Sequence, residues 1–423
     1  MSAYQRKVFL SELRNGMFVC QLPIAWKETP FPLQGFFVRS QEDIDELSKF
    51  CEHVLIDTVR SKSDYSPKSA ITNKIKVEPV EKTCVTKAPR KTNIKPVTIR
   101  SDRYTKTLSS AFSKELKKVK RVHTKIIKSI ESISEQLAKG DERALASLSK
   151  HSVALVESAI NNPDSAIWLT QLESQRSDLF QHSVNATIWA IVFGRHLGLE
   201  PEVLQDITLA LLLAKIGLLK QPHKDSSENM AKDENPYAFI DRSIALIKDC
   251  RHVNPRVINA IKTHLERHDG SGRPSGIPGS RIPLVGKIAG IADYYEALIN
   301  PLSKRKALCS YDASQLLFSL RDTKFQGDLV EEFIKAIGIY PTGSVVELDS
   351  KELGIVVESK PNMRLHPKLI IITDANREPL SKPKVINMAE SKARQKISRS
   401  LPSSAVTVNV SDLNIGGFSR FSA

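Results

Sequence analysis

The sequence predicts a multidomain protein in which an all-α helical domain lies between a small α+β N-terminal domain and a short β-rich C-terminal module. Three observations predict it. The chain has 423 residues, more than one hydrophobic core usually spans. Its centre carries apolar residues in the steps of three and four that mark helices. Both flanks break into short β-rich runs separated by turn residues.

The N-terminal domain is expected at residues 1–60. It holds the runs KVFL, RNGMFVCQL and FFVRS, a helix-like EDIDELSKF, and HVLID. Residues 61–106 read as a basic, solvated linker. Between Arg60 and Lys106 there are thirteen Lys and Arg against four Asp and Glu, a surplus of nine in a chain of net charge +15. The basicity is therefore mainly a linker property, and no specific nucleic-acid partner is expected. A connecting helix follows at 107–140, with Phe112, Leu116, Val119, Ile126, Ile130, Ile133 and Leu137 on one stripe and Gly140 at its end. Such a stripe serves either as the seam of a homodimer or as a face packed on its own domain, and fewer than four heptads favour the second.

The helical domain is expected at 141–339. Its run DITLALLLAKIGLL is apolar on nearly every face, as in a helix at the centre of a bundle. From 340 to 423 the pattern turns to strands such as SVVEL, GIVVES and KLIIIT, followed by a loosely packed end. No apolar run reaches the roughly 20 residues of a membrane helix, and the first residues lack a signal-peptide pattern, so a cytoplasmic protein is expected. The five cysteines, Cys20, Cys51, Cys84, Cys250 and Cys309, are scattered and odd in number, which fits neither a disulfide framework nor a zinc clip.

The chemistry-bearing stretch is THLERHDGSGRPSGIPGSRIPLVGKIAGIADYYEAL, residues 263 to 298. It groups His264, Glu266 and Asp269 ahead of a glycine-dense turn and places Asp293 on an amphipathic helix. Histidines and carboxylates beside glycines can form a metal and phosphate site, because glycine lets backbone amides approach anionic oxygens closely.

These residues resemble the HD-GYP family of bacterial cyclic di-GMP phosphodiesterases. The family pattern runs His-His-Glu, then Asp-Gly-Ser-Gly-Tyr-Pro, then Ile-Ala-Asp on a following helix. Upstream, FQHSVNATIWAIVFGRHLGL resembles the family's first metal-histidine helix, with His182 in the ligand position, and LALLLAKIGLLKQP resembles the helix of the defining His-Asp pair. Downstream, EEFIKAIGIYPTGSVVEL resembles the segment that closes the domain. LRNGMFVCQLPIAWKETPFPLQGFFVRS resembles a small N-terminal domain of unknown function common in this family, through its Gly-Met turn, Trp26, and the Pro30-Phe31 and Gly35-Phe36 pairs. The resemblance thus covers essentially the whole chain and implies that the all-α domain is of the HD type.

The departures fall on the metal centre. At the His-Asp pair this chain has Ala214 and Lys215, and the family's phosphate-contacting lysine is Leu218. A further family histidine aligns near Phe239, the second of the His-His pair is Leu265, and the tyrosine of Gly-Tyr-Pro is Arg273. His182, His264 and Asp293 survive as a vestigial metal set. Two-metal hydrolysis uses both ions to clamp substrate and activate water, and three ligands are too few for that. Lys215 adds repulsion: a unit charge about 4 Å from a divalent ion costs about 8 kcal/mol at an effective dielectric of about 20. The sequence therefore predicts that the Lys215 ammonium pairs with Asp293 in place of the ions.

The resemblance then implies a degenerate HD-GYP protein in cyclic di-GMP signalling, a non-catalytic binding or protein-interaction module with no catalytic residues and no cofactor expected. Its partner would be cyclic di-GMP or a diguanylate cyclase-type protein, met through the loop Asp269, Gly270, Ser271, Gly272, Arg273 and Pro274. The alternative is a residual phosphodiesterase opening cyclic di-GMP to pGpG or GMP with divalent iron or manganese in an unusual ligand set. A scaffold dimerising through the connecting helix is a third reading.

Overall fold

The computed structural model describes residues 5–23, 36–38, 41–58, 61, 99, 103, 112–172, 178–219, 235–302, 306–359, 366–389, 395–402 and 405. Trp26, the Pro30-Phe31 pair, Gly35, Cys84 and nearly all of the basic segment lie outside these residues. The chain divides into two compact units, Met1–Asn93 and Ile94–Ala423.

The first unit holds strands β1 (Gln5–Phe9), β2 (Phe18–Gln21), β3 (Phe36–Phe37) and β4 (His53–Asp57), with helix α1 (Gln41–Ser48) before β4. The sheet order is β1-β4-β2-β3 and every pairing is antiparallel. Alternation makes the core: Val54 and Ile56 of β4 turn inward between half-buried neighbours, as the period of two requires. They meet Val8, Met17, Val19, Val38 and Leu47.

The second unit opens with α2 (Phe112–Ala138), α3 (Arg143–Asn161), α4 (Pro163–Leu172), α5 (Leu179–His196) and α6 (Pro201–Leu213). It continues through α7 (Ala238–Ile247), α8 (Pro255–Thr263), α9 (Leu284–Ile299), α10 (Ser310–Ser319) and α11 (Gly327–Ile337). Local signals set the helix starts. Asp178 accepts from the Gln181 amide at 2.7 Å, Asn254 accepts from the Arg256 and Val257 amides, and Pro201 and Pro255 stand at first helical positions, where an absent N–H costs nothing.

Helix α5 lies at the centre, its residues from Gln181 to Gly194 all buried, packed against α6 and α9. The stripe of α2 is covered from within the same unit by α3, α4 and α5, and Val119, Ile126, Ile130 and Ile133 are inaccessible to solvent. Its first turns, Phe112 and Leu116, pack with Trp168 of α4 against the C-terminal strands.

Those strands are β5 (Val345–Leu348), β6 (Leu353–Glu358), β7 (Lys368–Thr373), β8 (Pro379–Asn387) and β9 (Ile397–Leu401), in the order β8-β7-β6-β5-β9, all antiparallel. The first three are the runs legible in sequence. Strands β8 and β9 form the two edges in what reads as a loose tail; their Pro, Lys and Arg content is how exposed edges avoid further pairing. Among the described residues no helix is long and apolar enough to cross a membrane, and Cys20, Cys51, Cys250 and Cys309 are not in disulfides.

Candidate functional site

Four elements converge on one buried cluster. Helix α5 supplies His182 from its first turn, the end of α6 supplies Ala214 and Lys215, the C-cap of α8 is His264, and α9 supplies Asp293. The close crossing of α8 and α9 depends on Gly290, where a Cβ would lie 2.5 Å from the His264 carbonyl oxygen. Any side chain there would lift Asp293 away from the histidines.

Asp293 is the hub. Its Oδ1 accepts from Lys215 Nζ at 2.5 Å and from His182 Nε2 at 3.0 Å. Burial alone would push the Asp293 carboxyl up, but the Lys215 ammonium and the His182 hydrogen bond override it and hold it well below the usual carboxylate range. Burial, reinforced by Lys215, pushes His182 down, and burial takes His264 down to about 4. Both rings are therefore neutral at pH 7. His264 Nδ1 donates to the Ile261 carbonyl at 2.7 Å, which leaves Nε2 with the lone pair; that atom is buried and unpartnered.

The segment that replaces the His-Asp pair is fixed from behind by α7. Ser243 Oγ donates to the Ala214 carbonyl at 2.9 Å and accepts from the Gly217 amide at 2.9 Å. Ala214 and Phe239 are buried, whereas Leu218 lies 46% exposed on the 3-10 turn Ile216–Leu218. Leu265 is half-buried.

The glycine loop is a second assembly. The sequence groups Glu266 with His264 and Asp269, but the structure turns these carboxylates to other work. Glu266 accepts from the Ser275 amide at 2.7 Å and the Ile277 amide at 3.2 Å, so it closes the loop. Asp269 accepts from the Ser271 amide and hydroxyl and pairs with Lys324 at 3.0 Å. The Arg267 guanidinium stacks between Tyr294 and Phe325, 5.7 and 5.0 Å from their ring centres, and supports the loop from below. Gly272 is buried against the Glu266 and Arg267 backbone. Arg273 is exposed, and its guanidinium donates to the neighbouring Gly272 carbonyl.

A third group was not singled out in the sequence. Glu296 on α9 is fully buried and accepts from Asn185 Nδ2 and Asn300 Nδ2, each at 2.9 Å, and from Trp189 Nε1 at 2.8 Å. Asn185 in turn accepts from Gln181, whose amide also meets His123 of α2 at 3.0 Å. A glutamate within an apolar helix run was the available signal.

Residues 5–147 match the family described as Domain of unknown function (DUF3391), and residues 167–329 match the family described as HD domain. The first match runs from β1 through α2 into α3; the second takes in all four elements around Asp293. The chain is thus an HD-domain protein with a DUF3391 domain before it, and it is homologous to cyclic di-GMP phosphodiesterases of the HD-GYP type. It is 24% identical over 378 residues to the Cyclic di-GMP phosphodiesterase PA4108 of Pseudomonas aeruginosa, covering 88% of this chain and 86% of that protein. It is 29% identical over 188 residues to the Cyclic di-GMP phosphodiesterase PdeB of Borreliella burgdorferi, covering 43% of this chain and 50% of that one. The solved structure of Bd1817, a HDG"Y"P protein from Bdellovibrio bacteriovorus, aligns at 14% identity with a TM-score of 0.43, over 78% of this chain and 98% of that chain.

HD-GYP proteins are typically metal-dependent, and the cluster around Asp293 is where ions would sit. The residues present do not fit such a centre. The one carboxylate among His182, His264 and Asp293 is engaged by an ammonium. Among the described residues no three His, Cys, Asp or Glu side chains converge so as to hold an ion.

Proposed function

We propose that this chain is a degenerate HD-GYP protein that acts in cyclic di-GMP signalling as a non-catalytic binding or protein-interaction module. The observation that carries this reading is the Lys215–Asp293 contact at 2.5 Å. Hydrolysis of a phosphodiester by two ions needs carboxylate oxygens free to bridge metals and hold the attacking water. Asp293 Oδ1 is instead committed to two nitrogen donors, and Ala214 offers no donor at all.

The loop from Asp269 to Pro274 supports the binding half of the proposal. Its internal hydrogen bonds make it a preorganised platform, and Arg273 presents a planar cation on it to solvent. Cyclic di-GMP and a diguanylate cyclase-type domain are the partners that the family suggests for it.

The test is direct. Purified full-length protein is assayed for bound iron and manganese, for turnover of cyclic di-GMP, and for cyclic di-GMP binding by calorimetry. Binding without turnover supports a receptor, and binding to a cyclase domain without turnover supports an interaction module. Stoichiometric metal with sustained production of pGpG or GMP would overturn the proposal in favour of an active phosphodiesterase.

A further inference from the structure

We infer that the Lys215 ammonium is an internal counter-ion that has taken over the structural charge of a divalent centre, so that lysine and a divalent cation compete for His182, His264 and Asp293. The inference deepens the proposed function and rests on its premise that no metal resides here. It fails on a different measurement, because it concerns folding and cation binding rather than turnover.

Two independent features point to it. The first is charge. Asp293 is a buried carboxylate, 8% exposed, and a buried carboxylate without a cation is strongly disfavoured. The cation present is Lys215 Nζ, held against it from another helix, so the contact ties the end of α6 to α9 and, through His182, to α5. The second is His264. Its Nδ1–H is anchored on the Ile261 carbonyl, the arrangement by which a metal-ligating imidazole is oriented through its other nitrogen. The Nε2 that this orients is 1% exposed as a residue and meets no donor. A lone pair buried in that way is costly, and a ligand-oriented imidazole within electrostatic reach of a carboxylate and an ammonium is what remains when a metal's charge is kept and its coordination is lost.

The donors left over are two imidazole nitrogens and a carboxylate, a set suited to Zn2+ with an open position. As placed they form no group able to hold an ion, and Asp293 Oδ1 is taken by the ammonium. Removing the ammonium, but not the carboxylate, leaves the centre in need of an external cation.

The experiment uses the full chain and Lys215→Met, each freed of metal by chelator and then titrated with Zn2+. Thermal unfolding and bound metal after dialysis are recorded. For the wild type, neither chelator nor Zn2+ moves Tm. Lys215→Met in chelator loses roughly 5–10 °C, the scale of an unpaired buried charge. Zn2+ then restores at least half of that loss with about one ion bound per chain, and adding His264→Phe abolishes both the restoration and the binding. A wild type that retains stoichiometric metal, or a folded Lys215→Met indifferent to Zn2+, overturns the inference. Where Lys215→Met does not fold in chelator, refolding with Zn2+ supports it. Where neither condition gives folded protein, Lys215→Met/Asp293→Asn decides: recovery of the fold supports the counter-ion role, and its absence overturns it.

Discussion

Glu296 follows Asp293 by one turn of α9, yet the two carboxyls are held in opposite charge states. Asp293 is kept ionised by Lys215 and His182. Burial pushes Glu296 up to about 8, against the opposing pull of its three N–H donors and with the help of the Asp293 charge. A carboxyl whose folded pKa is raised holds a proton that the unfolded chain has released. Its contribution to stability is therefore full below about pH 4.5 and is lost progressively as pH rises toward about 8. Glu296→Gln cannot ionise, so the fall in Tm between pH 5 and pH 8.5 should be smaller in the variant than in the wild type. Its amide would also turn an N–H toward the donors, costing about 1–3 kcal/mol at pH 5. Parallel Tm curves for the two proteins would remove Glu296 from the pH response.

Thr342, just before β5, donates to Asp164 at the start of α4 at 2.8 Å. Burial raises the Asp164 carboxyl to about 6, with the Thr342 hydrogen bond opposing. Thr342→Val should lower stability by about 1–3 kcal/mol at pH 7. The loss should shrink at pH 5, where Asp164 is protonated and its charge no longer needs the hydroxyl. Urea denaturation at the two pH values measures the difference, and an equal loss at both would show that Thr342 acts through packing alone.

Glu266→Ala would leave the Ser275 and Ile277 amides without their acceptor. A loss of about 2–3 kcal/mol follows, and limited proteolysis between Asp269 and Ile277 should accelerate. Cleavage at the wild-type rate would mean that the loop keeps its shape without the carboxylate.

The loop glycines should separate by mechanism. Gly270 has φ of +78°, and a Cβ there would meet the Gly276 carbonyl oxygen at an ordinary contact distance of 3.4 Å, so Gly270→Ala should cost about 1–2 kcal/mol of backbone strain. Gly272→Ala would press a Cβ into the Glu266 and Arg267 backbone and should cost more, because main chain cannot rotate aside. Comparable Tm values for both variants would contradict the close packing of Gly272.

Arg273→Ala should leave Tm within about 1 °C of the wild type, since surface substitutions usually change stability little and the guanidinium's hydrogen bond is a local one to the carbonyl of the preceding residue. If the loop is the docking surface, the same variant should weaken binding of cyclic di-GMP or of a cyclase domain severalfold. Unchanged affinity for both would take Arg273 out of the recognition surface.

The sequence made the helices legible because their interiors are apolar in period, and α6 is recognisable by being apolar on nearly every face. It also made the Lys215–Asp293 pairing legible: a lysine aligned with a metal position and a surviving aspartate must meet if the fold is kept. It did not reveal Glu296, since one glutamate in a helix reads as a helix former, and its partners Asn185, Trp189 and Asn300 lie on other turns and another helix. Glu266 and Asp269 looked like members of the histidine cluster because their spacing is short, whereas the loop that follows brings amides back onto Glu266. Strand β9 was obscured because its pairing with the distant β5, not local propensity, makes it a strand, and β8, a hairpin partner of β7, was hidden by its prolines and lysines.

Trp168 has a consequence for how such a protein can be divided. It sits on α4 with Phe112 of α2 in edge contact at 6.0 Å and with Val345, Ile355 and Ile370 of the C-terminal sheet around it. A fragment limited to residues 167–329 would have this indole stripped on two sides at once. The piece that keeps this core intact is accordingly larger than the HD match, reaching back to α2 and forward through the C-terminal sheet.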